Sequence, residues 1–514
     1  MFSIKWLVTS ASTIVCLTYQ SSLSTADSPV TVSTPPQIKV EATSTGVVWE
    51  GWGTSLAWWT NVYGGSEDLA ELLFSLSENP LVETTDGSIL DLPALGLNIA
   101  RYNIGGSGSN VIDDGGEEIA MKISNDMPAY KTAESYWLDW LSSDPTTSSW
   151  NWTADAGQRT MLSLPTANGV DIIEAYSNSP PWWMTKNRAS AGGDKGGDDN
   201  LLPENYDRFA LYLATVVREA KTRWDINFSY VAPFNEPTST KWEFPGTQEG
   251  CHFSIAAQSE VSKRLRAHLD KLELQSVAVS VSDESSPTAA LSTLTDLTAN
   301  VSVMEAVGKT NTHGYDGQEV YRGEDRAALK KLAADSNLNR WVSEYGDDDG
   351  SGLTLAESIT LDINELGVSA FVYAQMLNSG SRGLIQSNLW DHWMGEANPK
   401  YYVMAHYSRH IRRGMGIHAT DDPGTVAAFD AENSVLVIVR VTLGEAETKQ
   451  IVIEDFMLGR ESAFDRWPSR IDTWTTKAKS TDSFYVESGI QDPSLEFNVD
   501  FPAESVMTLE VHWG

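Results

Sequence analysis

Two glutamates in this chain each follow an apolar run that is typical of a buried strand. Glu236 lies in Val-Ala-Pro-Phe-Asn-Glu-Pro at 231–237, and Glu344 lies in Trp-Val-Ser-Glu-Tyr at 341–345. In a parallel β/α barrel the carboxyl ends of the strands meet at one mouth, where active sites lie. Two carboxyl groups facing each other there are typical of glycosidase chemistry. The intervening chain is long enough for three βα units, which predicts that the glutamates follow the fourth and seventh strands.

Strand-like and helix-like patterns alternate over about 350 residues, as a barrel requires. Candidate strands lie at 47–50, 98–104, 171–176, 228–232, 277–281, 309–313, 340–344 and 370–375. Helical patterns lie between them at 67–76, 154–167, 203–223, 255–271, 322–334 and 353–366, and a final helix lies at 400–410. Pro203 is well placed at the start of its helix. The order predicts a closed parallel barrel.

The sequence pattern changes after the predicted helix at 400–410. Short strand patterns parted by Gly, Pro and Asp turns lie at 425–429, 434–442, 449–454, 469–475, 483–486 and 505–511. They predict an all-β sandwich, and we expect the lone strand at 37–42 to cross over and complete it. The predicted fold class is therefore α/β: a (β/α)8 TIM barrel with a fused all-β sandwich domain. The predicted boundaries are 1–26 for a signal peptide, 27–45 for a linker and the sandwich's N-terminal strand, 46–410 for the barrel and 411–514 for the sandwich.

The N-terminus has the features of a secretory signal peptide. A short basic start ending at Lys5 precedes an apolar, Ser/Thr-diluted stretch at 6–17, and small residues then cluster near Ala26. This stretch is too short and too polar for a membrane span. Three sequons agree with secretion of a glycoprotein and begin at Asn151, Asn227 and Asn300. We therefore expect a secreted, extracellular protein with no membrane association.

Composition narrows the possible partners. The 514 residues carry a net charge of −34 and contain no basic run, which makes nucleic acid a poor partner. Once a signal that includes Cys16 is removed, Cys251 is the one cysteine left, and we interpret it as a buried small residue. We expect most of the 19 tryptophans to be structural and about a quarter to line a sugar-binding cleft.

Nearly every predicted strand ends in polar or aromatic side chains, and the set in strand order favours an active site at one mouth. The candidates are Trp52 and Thr54 after strand one, Arg101 on strand two, Trp182 and Trp183 after strand three, Asn235 with Glu236 after strand four, Asp283 at strand five, His313 and Tyr315 at strand six, Glu344 on strand seven and Gln375 at strand eight. Glu174 on strand three is a competing carboxylate. For His313, a satisfied core histidine and a site wall stay open as alternatives.

These motifs resemble glycoside hydrolase family 30, in its fungal endo-β-1,6-galactanase branch, over essentially the whole mature chain. The matching stretches lie at 49–59 (Trp-Glu-Gly-Trp-Gly-Thr-Ser-Leu-Ala-Trp-Trp), 96–106, 177–184, 232–237 and 343–346. Asn-Glu-Pro alone marks only a larger clan of retaining barrel enzymes, and the tryptophan-rich first motif narrows it. The chain departs from the family pattern at 411–414, where it has Ile-Arg-Arg-Gly instead of Ile-Arg-Pro-Gly. This departure lies at the predicted junction between the barrel and the sandwich.

The resemblance implies roles for the pair. Glu236 would be the general acid/base, Glu344 the nucleophile, and Asn235 the residue that hydrogen-bonds the sugar 2-OH. Glu236 must be protonated when it attacks the leaving oxygen, and an ionised Glu344 beside it favours that state by like-charge repulsion. We expect Arg101 and Tyr315 to keep Glu344 ionised, and retention requires the carboxyl groups to stand roughly 5–5.5 Å apart.

The resemblance therefore implies a secreted retaining endo-glycosidase of β-1,6-galactan, the side chains of arabinogalactan proteins. The same family leaves β-1,6-glucanase and xylanase open, and a non-catalytic glycan-binding protein is the alternative from another class. We expect a monomer that takes a polysaccharide or proteoglycan glycan and needs no cofactor. The acidic loop at 347–350 lacks the ligand spacing of a calcium loop, so we interpret it as solvated or substrate-facing, with no metal site.

Overall fold

The computed structural model describes residues 35–315, 324–456, 467–480 and 483–514. The predicted signal peptide at 1–26 with Cys16, the linker up to residue 34 and the first two residues of the predicted helix at 322–334 lie outside the described residues. None of the described helices is long and apolar enough to cross a membrane.

A closed barrel forms the larger part of the described chain. Its eight strands are all parallel to their neighbours and are Gly51–Ser55, Ile99–Asn103, Ile172–Tyr176, Tyr230–Ala232, Ala278–Glu284, Lys309–His313, Asn339–Tyr345 and Ala370–Tyr373. They follow one another round the barrel in chain order, and the last pairs with the first. The predicted barrel is confirmed, and the mouth at the carboxyl ends of the strands brings the loops after them together.

The first barrel strand lies later in the chain than predicted. It is Gly51–Ser55 instead of 47–50, because Val47 and Val48 end a strand of the other domain. Gly51 and Gly53 look like loop residues by strand propensity. Here, however, a side chain at Gly53 would put its Cβ 2.8 Å from Ile99 on the neighbouring strand. Glycine is therefore what lets the two strands approach.

The helices pack around the barrel and follow the predicted alternation. The α-helices are Thr60–Tyr63, Glu67–Phe74, Ala156–Ser163, Tyr206–Trp224, Ile255–Lys271, Pro287–Thr298, Val301–Met304, Asp325–Asp335, Leu353–Leu361 and Pro399–Ser408. Short 3-10 turns lie at Ala129–Lys131, Pro165–Ala167, Trp182–Met184 and Pro203–Asn205, and a π-turn lies at Asp362–Leu366. Pro287–Thr298 was not predicted because it is rich in Ser and Thr. It starts on an N-cap in which the Ser286 hydroxyl accepts a hydrogen bond from the Ala289 N–H.

Three small sheets lie within the loops of the barrel. Leu81–Glu83 pairs with Ile89–Asp91, and Val111–Asp114 pairs with Glu117–Ala120. After the eighth barrel strand, Leu377–Asn378, Ile385–Asn388 and Trp393–Ala397 form a three-stranded sheet. This last sheet stands at the mouth of the barrel.

The second domain is one continuous sheet of nine strands within the described residues. In spatial order they are Val486–Gly489, Arg470–Lys477, Ser505–His512, Val435–Thr442, Thr425–Asp430, Gly416–Thr420, Gln37–Val48, Glu447–Ile453 and Glu496–Phe501. Gln37–Val48 pairs antiparallel with Gly416–Thr420 and parallel with Glu447–Ile453. The predicted all-β domain is confirmed. Gly416–Thr420 and Glu496–Phe501 were not predicted, and the pattern at 483–486 becomes a strand only at Val486–Gly489.

Side chains that alternate along a strand bury both faces of this sheet. On Val435–Thr442, Leu436 and Ile438 join a core shared by strands from both ends of the sheet, so the sheet folds over onto itself. Val437, Val439 and Val441 point the other way and belong to the barrel's core. The two domains therefore share a continuous apolar interface beside the helices Leu353–Leu361 and Pro399–Ser408.

Candidate active site

A cavity of about 670 Å³ opens at the carboxyl ends of the barrel strands, and both predicted glutamates line it. Glu344 lies on the seventh strand, Asn339–Tyr345. Glu236 follows the fourth strand, Tyr230–Ala232. Their side chains are 20% and 12% exposed, so each carboxyl group is sheltered yet reachable from the cavity.

The turn that presents Glu236 is held from two sides. Glu236 has a left-handed backbone with φ 46°, which is costly for a residue other than glycine. Its N–H donates to the carbonyl of Asp283 at 2.8 Å, and Nε1 of Trp242 donates to its carbonyl at 2.8 Å. Two residues on, the Thr238 hydroxyl donates to Glu284 at 3.0 Å. The end of the fifth strand thus fixes the acid's backbone in place.

Glu344 is held by hydrogen-bond donors on both carboxylate oxygens. The Tyr315 hydroxyl donates to Oε1 at 2.9 Å, and Nη1 of Arg101 lies 3.4 Å from Oε2. Burial and the neighbouring charge of Glu344 raise the pKa of Tyr315 well above its ordinary value, so its hydroxyl keeps the proton that it donates. These two contacts fix the orientation of the Glu344 carboxyl group.

His313 lies beneath the two carboxyl groups and contacts both. Its Nδ1 is 3.3 Å from Oε1 of Glu236 and 3.9 Å from Oε1 of Glu344, and its Nε2 is 3.5 Å from Asp283. Burial alone opposes a charge on the ring, but Glu344 and Asp283 outweigh it and raise the pKa of His313 to about 10. His313 is therefore a buried cation under the site and does not line the cavity.

The position of His313 limits how far apart the glutamates can be. Since one nitrogen lies 3.3 Å and 3.9 Å from their Oε1 atoms, those two oxygens are at most about 7 Å apart. One sugar ring carbon can therefore lie between them.

Arg101 and Asp283 complete the charge cluster below the cavity. Nη2 of Arg101 donates to Oδ2 of Asp283 at 2.7 Å, and the Ser343 hydroxyl donates to Oδ1 at 2.6 Å. Burial opposes both charges. The mutual attraction nevertheless raises the pKa of Arg101 above its ordinary value, while Arg101 and His313 hold the pKa of Asp283 well below its own. Arg101 and Asp283 are therefore both charged at neutral and mildly acidic pH.

Glu174, the competing carboxylate, is wholly buried in the barrel and serves as an anchor. It accepts hydrogen bonds from Nε of Arg101 at 3.1 Å, Nζ of Lys309 at 2.5 Å and Nδ2 of Asn311 at 2.9 Å. The Ser280 hydroxyl also donates to it, at 2.8 Å. With its oxygens engaged by these four donors, Glu174 has no access to the cavity. Glu174 orients Arg101, which in turn contacts Glu344.

Comparisons with known proteins identify the family. The model of O-Glycosyl hydrolase family 30 matches residues 35–302. An endo-β-1,6-galactanase from Hypocrea rufa is 37% identical over 475 residues, which cover 92% of this chain and 94% of the relative. The chain belongs to glycoside hydrolase family 30.

Solved structures share the fold of this family 30 enzyme. A conserved exported protein from Bacteroides fragilis superimposes with a TM-score of 0.71 at 18% identity, covering 92% of this chain and 100% of that one. The catalytic domain of a GH30 xylanase C from Talaromyces cellulolyticus gives a TM-score of 0.65 at 18% identity, covering 92% and 99%. The fold of this chain is thus shared with both solved structures.

The walls of the cavity offer polar and aromatic groups to a sugar. Asn235 is buried beside Glu236, and its Oδ1 has no hydrogen-bond partner among the described residues, so it is free to accept from a hydroxyl. Gln375 lines the opposite wall and donates to the carbonyl of Ala57 at 3.4 Å. Trp58 and Trp242 supply indole surface, and Nζ of Lys131 lies 4.1 Å from the centre of the Trp58 ring.

Six of the residues predicted to bind substrate lie in the protein interior and do not line the cavity. Two of them, Arg101 and His313, belong to the charge cluster described above, and the other four are Trp52, Thr54, Trp182 and Trp183. Trp52 is wholly buried, donates to the carbonyl of Ile411 at 2.7 Å and packs against Trp49. Thr54 is equally buried, and its hydroxyl donates to the carbonyl of Ser55.

The tryptophan pair after strand three is also turned inward. Trp182 donates to Asn110 at 3.3 Å, and Trp183 donates to the carbonyl of Trp137 at 2.9 Å. Both rings are at most 1% exposed. A tryptophan after a barrel strand thus packs under the loops here, because burial of a whole indole stabilises them more than exposure at a rim would.

The acidic loop and the cysteine have structural partners. Asp347 pairs with Nζ of Lys400 at 3.0 Å, and Asp349 accepts from the N–H groups of Ser351 and Thr354 at the start of a helix. Asp348 is 80% exposed and does not line the cavity. Cys251 is buried, and burial raises its pKa to about 12, so it is an inert thiol.

Several cavity residues were not anticipated. Trp58 lies inside the quoted first motif, so the resemblance pointed near it. Lys131, Trp242 and Arg382 lie on the loops after strands two, four and eight, whose local sequence has no periodic signal. Only the closure of the barrel brings them to one cavity.

Proposed function

We propose that this family 30 enzyme is a secreted endo-glycosidase that hydrolyses the β-1,6-galactan side chains of arabinogalactan proteins with retention of configuration. The observation that carries the proposal is the pair Glu236 and Glu344, bridged by His313, in a chain that matches an endo-β-1,6-galactanase over 94% of that relative's length. Retention is compatible with this distance. The two Oε1 atoms are at most about 7 Å apart, and the ~5–5.5 Å that separates the carboxyl groups of retaining enzymes lies within that limit.

In the first step Glu344 attacks the anomeric carbon while Glu236 donates its proton to the leaving glycosidic oxygen. Two donors, Tyr315 and Arg101, orient the attacking carboxylate. As the bond to the anomeric carbon forms, the negative charge on Glu344 is consumed. Asp283 then remains as a partner of both Arg101 and His313, and Glu174 remains as a second partner of Arg101.

In the second step Glu236 acts as a base. It takes a proton from a water molecule, whose oxygen attacks the same carbon and releases Glu344. The Nδ1–H of the His313 cation points to Oε1 of Glu236 and stabilises the carboxylate left by the first proton transfer. The free Oδ1 of Asn235 beside it supports the expected contact with the sugar 2-OH.

Secretion and the monomeric state belong to this proposal too. The basic start, the apolar stretch at 6–17 and the small residues near Ala26 support export. Of the three sequons, Asn227 and Asn300 are exposed, as acceptors of a glycan must be. Mass spectrometry of the protein secreted by a fungal host, with and without deglycosylation, tests the cleavage point and the glycans.

A product chromatogram tests the activity. The purified enzyme is incubated with de-arabinosylated arabinogalactan, β-1,6-glucan and xylan, and we expect oligosaccharides from the first substrate alone. Cleavage of glucan or xylan instead would assign the alternative specificity. Binding without cleavage of any glycan would favour the non-catalytic alternative. Proton NMR of the earliest products should show the β-anomer first, and an α-first product would contradict retention.

A further inference from the structure

Two exposed tryptophans lie on a ribbon that borders the cavity. The ribbon pairs Ile385–Asn388 with Trp393–Ala397 after the eighth barrel strand. Ser387, Asn388 and Leu389 line the cavity, and Trp390 follows them on the turn. Trp390 is 65% exposed and Trp393 is 39% exposed. Both indoles therefore keep apolar surface open to solvent, which a ligand can cover.

The strand register puts Trp393 beside the cavity wall. Asn388 and Trp393 are direct partners across the antiparallel pair. Directly opposed side chains lie on the same face of a ribbon, about 5 Å apart at Cβ. Because Asn388 lines the cavity, a Trp393 ring on the same face of the ribbon extends the cavity wall outward.

The Trp393 ring packs against a glycine on its own strand. Gly395 is two residues along the same strand and therefore on the same face. A Cβ built at Gly395 would lie 2.4 Å from Cη2 of Trp393. The indole thus packs against Gly395 and keeps 39% of the residue exposed.

The turn that holds Trp390 is tied down. Asn388 accepts from the Trp390 N–H at 3.1 Å and donates to Asp391 at 2.5 Å. Thr85, on the neighbouring hairpin, donates its N–H to the Met394 carbonyl at 3.1 Å and accepts the Met394 N–H on its hydroxyl at 2.8 Å. Rings on an ordered turn lose little further freedom when a ligand stacks on them.

We propose that Trp390 and Trp393 form a sugar-binding platform that takes galactosyl residues of the substrate chain distal to the bond being cleaved. The platform rests on the proposed function and extends it. An indole face stacks on the C–H face of a pyranose, and a chain leaving the cavity past Asn388 meets Trp393 and then Trp390. Single exposed apolar residues are ordinary on protein surfaces. Two indoles on one turn that adjoins the cavity provide a continuous path.

The test compares Trp393→Ala and Trp390→Ala with the wild type on a series of β-1,6-galacto-oligosaccharides and on linear β-1,6-galactan. We expect KM for the polymer to rise by about three- to tenfold for Trp393→Ala, with kcat on the shortest cleaved oligosaccharide unchanged. The matched control is Trp467→Ala, because Trp467 is 56% exposed on the sheet domain and does not line the cavity. This control should leave all constants unchanged.

Gly395→Ala provides a second variant that keeps the indole but displaces its ring. It should reproduce part of the rise in KM for the polymer, with a melting temperature close to that of the wild type. An effect of Trp393→Ala that is the same at every chain length, or absent at every length, overturns the platform. A wild-type enzyme that leaves galactan intact overturns the proposed function and the identity of the distal sugar together. Cleavage of galactan with length-independent effects overturns the platform alone.

Discussion

Asp283→Asn should destabilise the protein by about 3 kcal/mol at pH 7. Asp283 is 1% exposed, and its carboxylate faces Arg101 at 2.7 Å and His313 at 3.5 Å. Removing one partner from a buried ion pair costs about 3–5 kcal/mol, because the remaining charge stays buried. The lower end applies here, since Arg101 keeps Glu174 and both cations keep Glu344. A loss of about 3 kcal/mol raises the equilibrium constant for unfolding roughly 150-fold.

The loss should depend on pH with a definite sign. Because Arg101 and His313 hold the pKa of Asp283 below its ordinary value of 3.8, the wild type gains stability from this group above pH 3.8. It loses that gain as the pH falls toward the depressed pKa of the folded state. Asparagine has no such titration. The difference between the two proteins should therefore narrow by about 1 kcal/mol between pH 5 and pH 3.

Urea denaturation, followed by tryptophan fluorescence at several pH values, measures both effects. Ser343→Ala is the matched control. It keeps the carboxylate and removes one charge-assisted hydrogen bond to it, so it should cost about 2 kcal/mol at pH 7 and keep most of the acid sensitivity of the wild type. An Asp283→Asn protein as stable as the wild type at pH 7, or an offset that stays constant down to pH 3, would refute the role of this buried charge.

Three further predictions concern the nucleophile, the acid and the joint between the domains. Glu344→Ala should abolish hydrolysis of galactan with little change in melting temperature. The control Asp348→Asn changes a nearby carboxylate that is 80% exposed and should keep the wild-type rate. Substantial residual turnover in Glu344→Ala would remove Glu344 from the role of nucleophile. The rate should be highest at mildly acidic pH, as for a carboxyl pair that acts as acid and nucleophile, and a rate still rising past neutrality would contradict that pairing. Burial, with His410 nearby, holds the pKa of His406 well below 6.5, so the unfolded chain takes up a proton that the folded one does not, and stability falls as the pH drops below 6.5. His406→Gln should lessen that fall by about 2 kcal/mol between pH 6.5 and pH 5, and equal acid sensitivity in thermal melts of both proteins would count against it.

The barrel could be predicted from local pattern because its strands are short apolar runs between amphipathic helices. The boundaries at 309–313 and 255–271 agree with the structure to the residue. The first strand could not be placed in this way, since its glycines have a purpose only against Ile99 on a neighbouring strand. The strand at Glu496–Phe501 was missed because its apolar residues form a core only after the sheet folds over.

The tryptophans show most clearly the difference between what residue type predicts and what the tertiary structure decides. Residue type predicts that an indole will be buried or will meet a ligand, but it does not distinguish these outcomes. Among the described residues, Trp58 and Trp242 line the cavity, while Trp52, Trp182 and Trp183 pack inside. Which way each ring turns depends on the volume that the neighbouring loops leave, and that volume exists only in the assembled barrel.

Glu236 and Glu344 were identifiable from the sequence because each follows an apolar run, and such a run ends at the mouth of a barrel whatever surrounds it. Their local sequence holds no information about the cation beneath them. His313 reads equally well as core or site, and its charge arises from Glu344 and Asp283, carboxylates that reach it from two other strands. Electrostatic interactions act through space rather than along the chain, so the charge state of this site was decided by barrel closure.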